Sequence, residues 1–178
     1  MTATQEDRDR ERRRVIIDAA LACFLQFGYA KTTLEDIARR ANLSRPLLYQ
    51  KFSNKDAIFA AAHESVFAGL YPQVDEVLAG RGSKQAKLAR VCELLLLGPW
   101  KILEGAPMAK EFHAACATLA PAIAEKHARK RQSIFHHIFG DRLAAEVFAL
   151  ALDGLTVDTP SLAVLRKRLA VLVDRFAP

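Results

Sequence analysis

Residues 28–59 read GYAKTTLEDIARRANLSRPLLYQKFSNKDAIF, and the punctuation of this stretch predicts two short helices around a tight turn. Thr33 opens the first helix with Asp36 three residues on, the spacing of a capping box. Leu34, Ile37, Ala38 and Ala41 give that helix its apolar face, and it stops at Asn42. Asn tolerates the left-handed conformation such a turn needs. Ser44 then starts the second helix, with Leu43 and Leu48 placed for a hydrophobic staple. Small Ala38, mid-face on the first helix, lets the second cross it closely. Ser53 or Asn54 caps a further helix from Lys55 or Asp56 to about Tyr71.

Upstream, Val15, Ile16, Ala19, Ala20, Cys23, Phe24 and Phe27 recur at helical spacing. Gly28 ends that helix. Ile37, Leu43, Leu48 and Phe52 are expected to pack with Phe24 and Phe27. The arrangement is a helix-turn-helix on a three-helix core, whose second helix enters the DNA major groove N-terminus first. The polar residues suit that task. Ser44 lies at the helix start, where amides favour phosphate, and Arg45 has the fork geometry for guanine or phosphate. Gln50 can pair with adenine or with a phosphate. Tyr49 and Lys51 can reach the backbone, and Lys55 offers a second amine.

The same stretch resembles the DNA-binding module of the tetracycline-repressor (TetR) family. The carriers are Thr33, Ile37-Ala38, Asn42-Leu43-Ser44, Leu48-Tyr49 with Phe52, then Lys55 and Phe59. Asn42 stands for the usual Gly, Pro46 where Gly is common, and Lys51 for a frequent His. The resemblance implies that Thr33, Ser44, Tyr49 and Lys55 hold phosphates and that Arg45, Pro46, Leu47 and Gln50 face base edges. Without it, Thr33 and Ser44 read as helix caps and Tyr49 as surface.

The 178-residue chain carries a net charge of +6, and residues 1–55 hold 11 Lys/Arg against 7 Asp/Glu. That excess suits a polyanion. The run Arg8, Arg10, Arg12, Arg13, Arg14 is mixed with acids, and reads as a frayed helix start or a phosphate-touching arm. Cys23, Cys92 and Cys116 form no close pair, and the N-terminal sequence has no apolar signal core. The expectation is a reduced, cytoplasmic protein without a membrane partner.

Beyond residue 55 the pattern stays helical. Pro72 should bend or restart a helix; Gly98-Pro99 should punctuate a helix over 83–97. Pro121 should start a helix ending at Gly140, with two more over about 141–156 and 160–176. The predicted fold is all-α with about nine helices. It comprises a helix-turn-helix domain over 1–55 and a ligand-binding and dimerisation domain over 56–178.

No nucleophile–base pair or phosphate-cradling glycine loop marks an enzyme, and neither cofactor nor metal is expected. His136 and His137 point about 100° apart on a helix. His113 and Cys116 share a face but suit a pocket or core better than a metal. The run Lys126 to Arg131 reads as a solvated helix face. Phe67, Tyr71, Trp100, Met108, Phe112, His113, Cys116 and His136 mix aromatic, soft and weakly polar groups, as ligand pockets do. The resemblance implies a small, usually hydrophobic effector there. The last helices carry more apolar face than one core needs: Leu143, Val147, Leu150 and Gly154, then Leu162, Leu165, Leu169 and Leu172. An intersubunit four-helix bundle explains the excess. The expectation is a homodimeric repressor on a near-palindromic double-stranded operator. An activator, or a regulator without a small-molecule effector, is the alternative.

Overall fold

The computed structural model describes residues 4–177, so residues 1–3 and 178 of the expected domains lie outside the described residues. Among those described there is no β-strand. Eleven helices follow in order: α1 Gln5–Lys31, α2 Leu34–Arg40, α3 Arg45–Lys51, α4 Lys55–Ala68, α5 Tyr71–Ala79, α6 Lys84–Cys92, α7 Gly98–Leu103, α8 Ala109–Leu119, α9 Pro121–Phe139, α10 Arg142–Gly154 and α11 Leu162–Phe176. A π-helical turn, Glu93–Leu97, joins α6 to α7 without a break, and two residues part α4 from α5. Counting each of those runs once gives nine.

Contacts divide the chain into two units, one of residues 1–65 and 105–124, the other of 66–104 and 125–178. Helix α8, which the sequence placed in the C-terminal domain, therefore contributes to the first unit.

In that unit the local signals act as written. Thr33 and Asp36 form a reciprocal capping box at the start of α2. Asn42 takes the turn at φ 53°. The Ser44 hydroxyl accepts from the Leu47 amide at 3.4 Å, and Asn54 rather than Ser53 caps α4, accepting from Ala57 at 2.8 Å. Ile16, Ala20, Phe24, Ile37, Ala38, Leu48, Phe52, Ile58 and Phe59 are buried.

Phe27 does not join them; it is 45% exposed. Gly28 leaves the helix at φ 80°, and Tyr29 then stacks on Phe24 with centroids 5.8 Å apart. Phe59 meets both rings, and Phe112 of α8 meets Phe59 at 5.2 Å. The aromatic cluster of this unit is thus built from Phe24 and Tyr29 of α1, Phe59 of α4 and Phe112 of α8, without Phe27.

The second unit buries Val74, Leu88, Val91, Cys92, Ile134, Phe135, Phe148, Leu152, Leu165, Leu169 and Val173 around one core. Gly98-Pro99 does not stop the helix there. Proline lacks an amide, and its ring collides with the carbonyl four residues back. The π turn absorbs this, with the Gly98 amide bonding to the Glu93 carbonyl five residues back. Burial also splits the expected dimer stripe. Leu165 and Leu169 lie in their own unit's core, Leu162 and Leu172 are half-buried, and Val164 and Val171 are the exposed large apolar residues of α11. The stripe runs round the helix far enough to have an inner and an outer edge.

Candidate nucleic-acid interface

Helix α3 is short, and its inward residue Leu48 is buried, as is the flanking Phe52. That fixes which side chains face outward. Ser44, Arg45, Pro46, Tyr49 and Gln50 are exposed, as is Thr33 at the start of α2, while Leu47 is half-buried. Six of the nine sequence-predicted contacts are therefore exposed. The Arg45 guanidinium lies 3.6 Å from the Glu35 carboxylate. Both partners are well exposed, so this pair is loose and can yield to a phosphate or a base.

The two lysines are engaged within the protein. Lys51 Nζ lies 2.9 Å from Asp9 Oδ1, and its side chain is only 19% exposed. Lys55 Nζ donates to the carbonyls of Tyr29 at 2.9 Å and Thr32 at 3.1 Å, and sits 4.2 Å over the Tyr29 ring. It closes the C-terminal end of α1, where carbonyls lack helical partners. Asp56 accepts from the Tyr29 hydroxyl. Burial first, and that hydrogen bond second, pushes the Tyr29 phenol up to about 12, so it stays protonated at neutral pH.

The N-terminal arginines are not frayed. Thr4 and Asp7 form a capping box. Arg10 pairs with Asp7 at 3.2 Å, Arg12 with Asp9 at 3.7 Å and Arg14 with Glu11 at 2.6 Å. Arg13 leaves the pattern: it stacks 4.2 Å over the Phe52 ring and donates to the Lys51 carbonyl at 3.2 Å.

The α8 helix is tied to α1 by its backbone and by one carboxylate. The Met108 amide donates to the Leu25 carbonyl at 3.0 Å, and Glu111 accepts from the Tyr29 amide at 3.0 Å.

The residues expected around a ligand divide between the two units. Phe112 belongs to the first unit's aromatic core, and His113 and His136 are exposed. Trp100 donates from Nε1 to the Pro160 carbonyl at 3.0 Å. Phe67 and Tyr71 do come together, around a residue the sequence reading passed over. His127 lies inside the run read as a solvated face, yet it is buried. Its ring is 4.5 Å from Phe67, and its Nδ1 shares a 2.7 Å hydrogen bond with the Tyr71 hydroxyl. The spacing His127, Ile134, Ile138 was the available signal, hidden by the charges around it. Burial pushes the Cys92 and Cys116 thiols up to about 12, so neither is an activated thiolate. Among the described residues no group of three or more His, Cys, Asp and Glu is placed to hold a metal, and no helix is long and apolar enough to cross a membrane.

Residues 16–62 match the family model for bacterial regulatory proteins of the tetR family. The likeness to that family covers the α1–α4 segment. Within curated relatives, it is 38% identical over 61 residues to the HTH-type transcriptional repressor Rv1474c of Mycobacterium tuberculosis, covering 34% of this chain and 33% of that one. The chain spans about a third of the length of the curated relatives it matches. Solved structures share the fold over nearly the whole chain. A transcriptional regulator from Cytophaga hutchinsonii superposes with a TM-score of 0.74 at 20% identity, covering 92% of this chain and 95% of that one. The multidrug binding protein EbrR, complexed with malachite green, gives 0.72 at 22% identity, over 94% and 99%. At such identities the likeness establishes the fold alone.

Proposed function

We propose that this chain is a homodimeric transcriptional regulator. It represses from a near-palindromic operator and is released by a small, hydrophobic ligand. The observation that carries the DNA reading is the open side of α3: Arg45, Tyr49 and Gln50 project together from a helix whose opposite side is locked in the core. Two such helices in a two-fold dimer read two half-sites.

The dimer reading is supported by Leu143, Val147, Leu150, Val164 and Val171, all exposed on α10 and α11. Beside them is an open groove of about 330 Å³ lined by Leu155, Arg168, Val171, Leu172 and Arg175. Contiguous apolar surface of this kind marks an interaction site. The ligand reading is supported by Phe67 and Tyr71 around a buried histidine, an apolar setting with a few polar groups. Release requires only that the ligand bind the state unfit for DNA more tightly than the fit one.

The test is selection of sites by the purified protein from random duplex fragments at two salt concentrations. Recovery of a shared near-palindrome, bound far above background, is the expected result. Weak, salt-labile binding without a shared site would overturn the operator reading.

A further inference from the structure

The recognition helix α3 carries two cations, one at each end, and the structure treats them differently. Arg45 leans on a well-exposed carboxylate at 3.6 Å and is free to exchange it. Lys51 is drawn back onto the first turns of α1, upstream of the residues that match the family model. Asp9 Oδ1 holds its ammonium at 2.9 Å, and four-fifths of the lysine side chain is out of water's reach. Asp9 also lies 3.7 Å from Arg12. Arg13 secures the same corner: its guanidinium covers the Phe52 ring and donates to the carbonyl of Lys51 itself. Backbone and side chain of residue 51 are therefore held from one helical segment, by residues at positions 9 and 13, one turn apart on the same side of α1.

This arrangement has a consequence for the DNA-binding reading, on which it rests. Each lysine that neutralises a phosphate adds sequence-independent affinity and steepens the salt dependence of binding. A lysine at the end of the recognition helix is placed to do so. We propose that Asp9 is a specificity-determining residue: it withholds Lys51 from the DNA backbone, so that α3 engages DNA chiefly through its N-terminal residues and Tyr49 and Gln50. The first turns of α1 thereby suppress binding to random sequence, which rivals the operator in a genome.

The probe is a random-sequence duplex of about 30 base pairs, long enough for a dimer spanning two successive major grooves. Binding is followed by fluorescence anisotropy across a series of NaCl concentrations. Asp9→Asn should release Lys51, raise low-salt affinity roughly fivefold, and steepen the slope of log K against log salt by about 0.9 per protomer. Asp9→Asn combined with Lys51→Ala should return the slope to that of the parent. Glu6→Gln makes the same change in net charge two residues into α1 without touching Lys51, and should leave the slope where it was. Circular dichroism melting confirms that each variant folds, and Asp9→Ser serves if the asparagine variant does not.

An unchanged slope in the folded Asp9 variants would overturn the inference. So would an equal steepening in Glu6→Gln, which would reduce the effect to net charge. A Lys51→Ala slope shallower than the parent by one full contact would do the same, since Lys51 would then already touch DNA. If the parent binds no duplex in a salt-dependent manner, the DNA-binding reading falls and this inference with it. If the parent binds and the Asp9 variants do not differ from it, only the inference falls.

Discussion

The head built around α3 and the α10–α11 face both expose side chains that their own core does not need, but of opposite kinds. Around α3 the large apolar residues Ile37, Leu48 and Phe52 are buried, and what remains outside is chiefly polar: Ser44, Arg45, Tyr49 and Gln50, beside Pro46. On α10 and α11 the core is equally well filled, by Phe148, Leu152, Leu165 and Leu169, yet Leu143 stays 68% exposed, Leu150 66% and Val171 62%. A polar excess with outward donors suits a polyanion. An apolar excess suits another apolar surface, in the proposed dimer a second copy of the chain. The type of surplus, more than its amount, indicates the partner.

The comparison breaks most readily at the apolar face. Leu150→Glu leaves the core untouched, so the chain should fold as before. In the proposed bundle it buries a carboxylate against apolar neighbours, at a cost of several kcal/mol. Dimer dissociation should rise by roughly 100-fold or more, read by sedimentation velocity beside an unchanged circular dichroism spectrum. A dimer of parental affinity would remove α10 from the interface.

A smaller effect is expected where the head is braced. Gly28 sits at φ +80°, and a Cβ there would lie 2.6 Å from Glu111 Oε1. Gly28→Ala must strain the backbone and displace the carboxylate that receives the Tyr29 amide. Stability should fall by about 1–3 kcal/mol, measured by urea unfolding. Parental stability would mean that α8 is not anchored through Glu111.

The third test separates functions within the polar surplus. Arg45→Ala should cost about 1–3 kcal/mol at particular operator positions and relax preference there. Tyr49→Ala should weaken every sequence to a similar, smaller extent. Uniform loss with Arg45→Ala would make that residue a phosphate contact instead.

The smallest effect concerns acid. The Thr33 hydroxyl first, and its backbone amide second, hold the Asp36 carboxyl below its ordinary 3.8. A depressed carboxylate stabilises the folded state above the unfolded value and loses that contribution as pH falls through the folded one. The head should therefore weaken below about pH 4, and Thr33→Ala should flatten that limb of a urea-unfolding series. An identical acid limb in the variant would assign it to other carboxylates.

What the sequence by itself determined was local. The Thr33–Asp36 box, the Asn42 turn, the Ser44 cap and the Gly28 break each depend on residues within four positions, so spacing alone reveals them. Helical periodicity likewise marked Leu48 and Ile37 as core and Leu143, Val147 and Leu150 as surplus. Tertiary structure decided whatever required two distant segments to meet. Asp9 takes Lys51 across 42 positions, and the Tyr29 and Thr32 carbonyls take Lys55. Phe112 crosses into the first unit's core, His127 turns inward from a charged run, and Leu165 and Leu169 turn away from the stripe they appeared to belong to. A residue's type limits the partners it accepts. Only the packed chain sets which partner is within reach, because that depends on how separate helices cross.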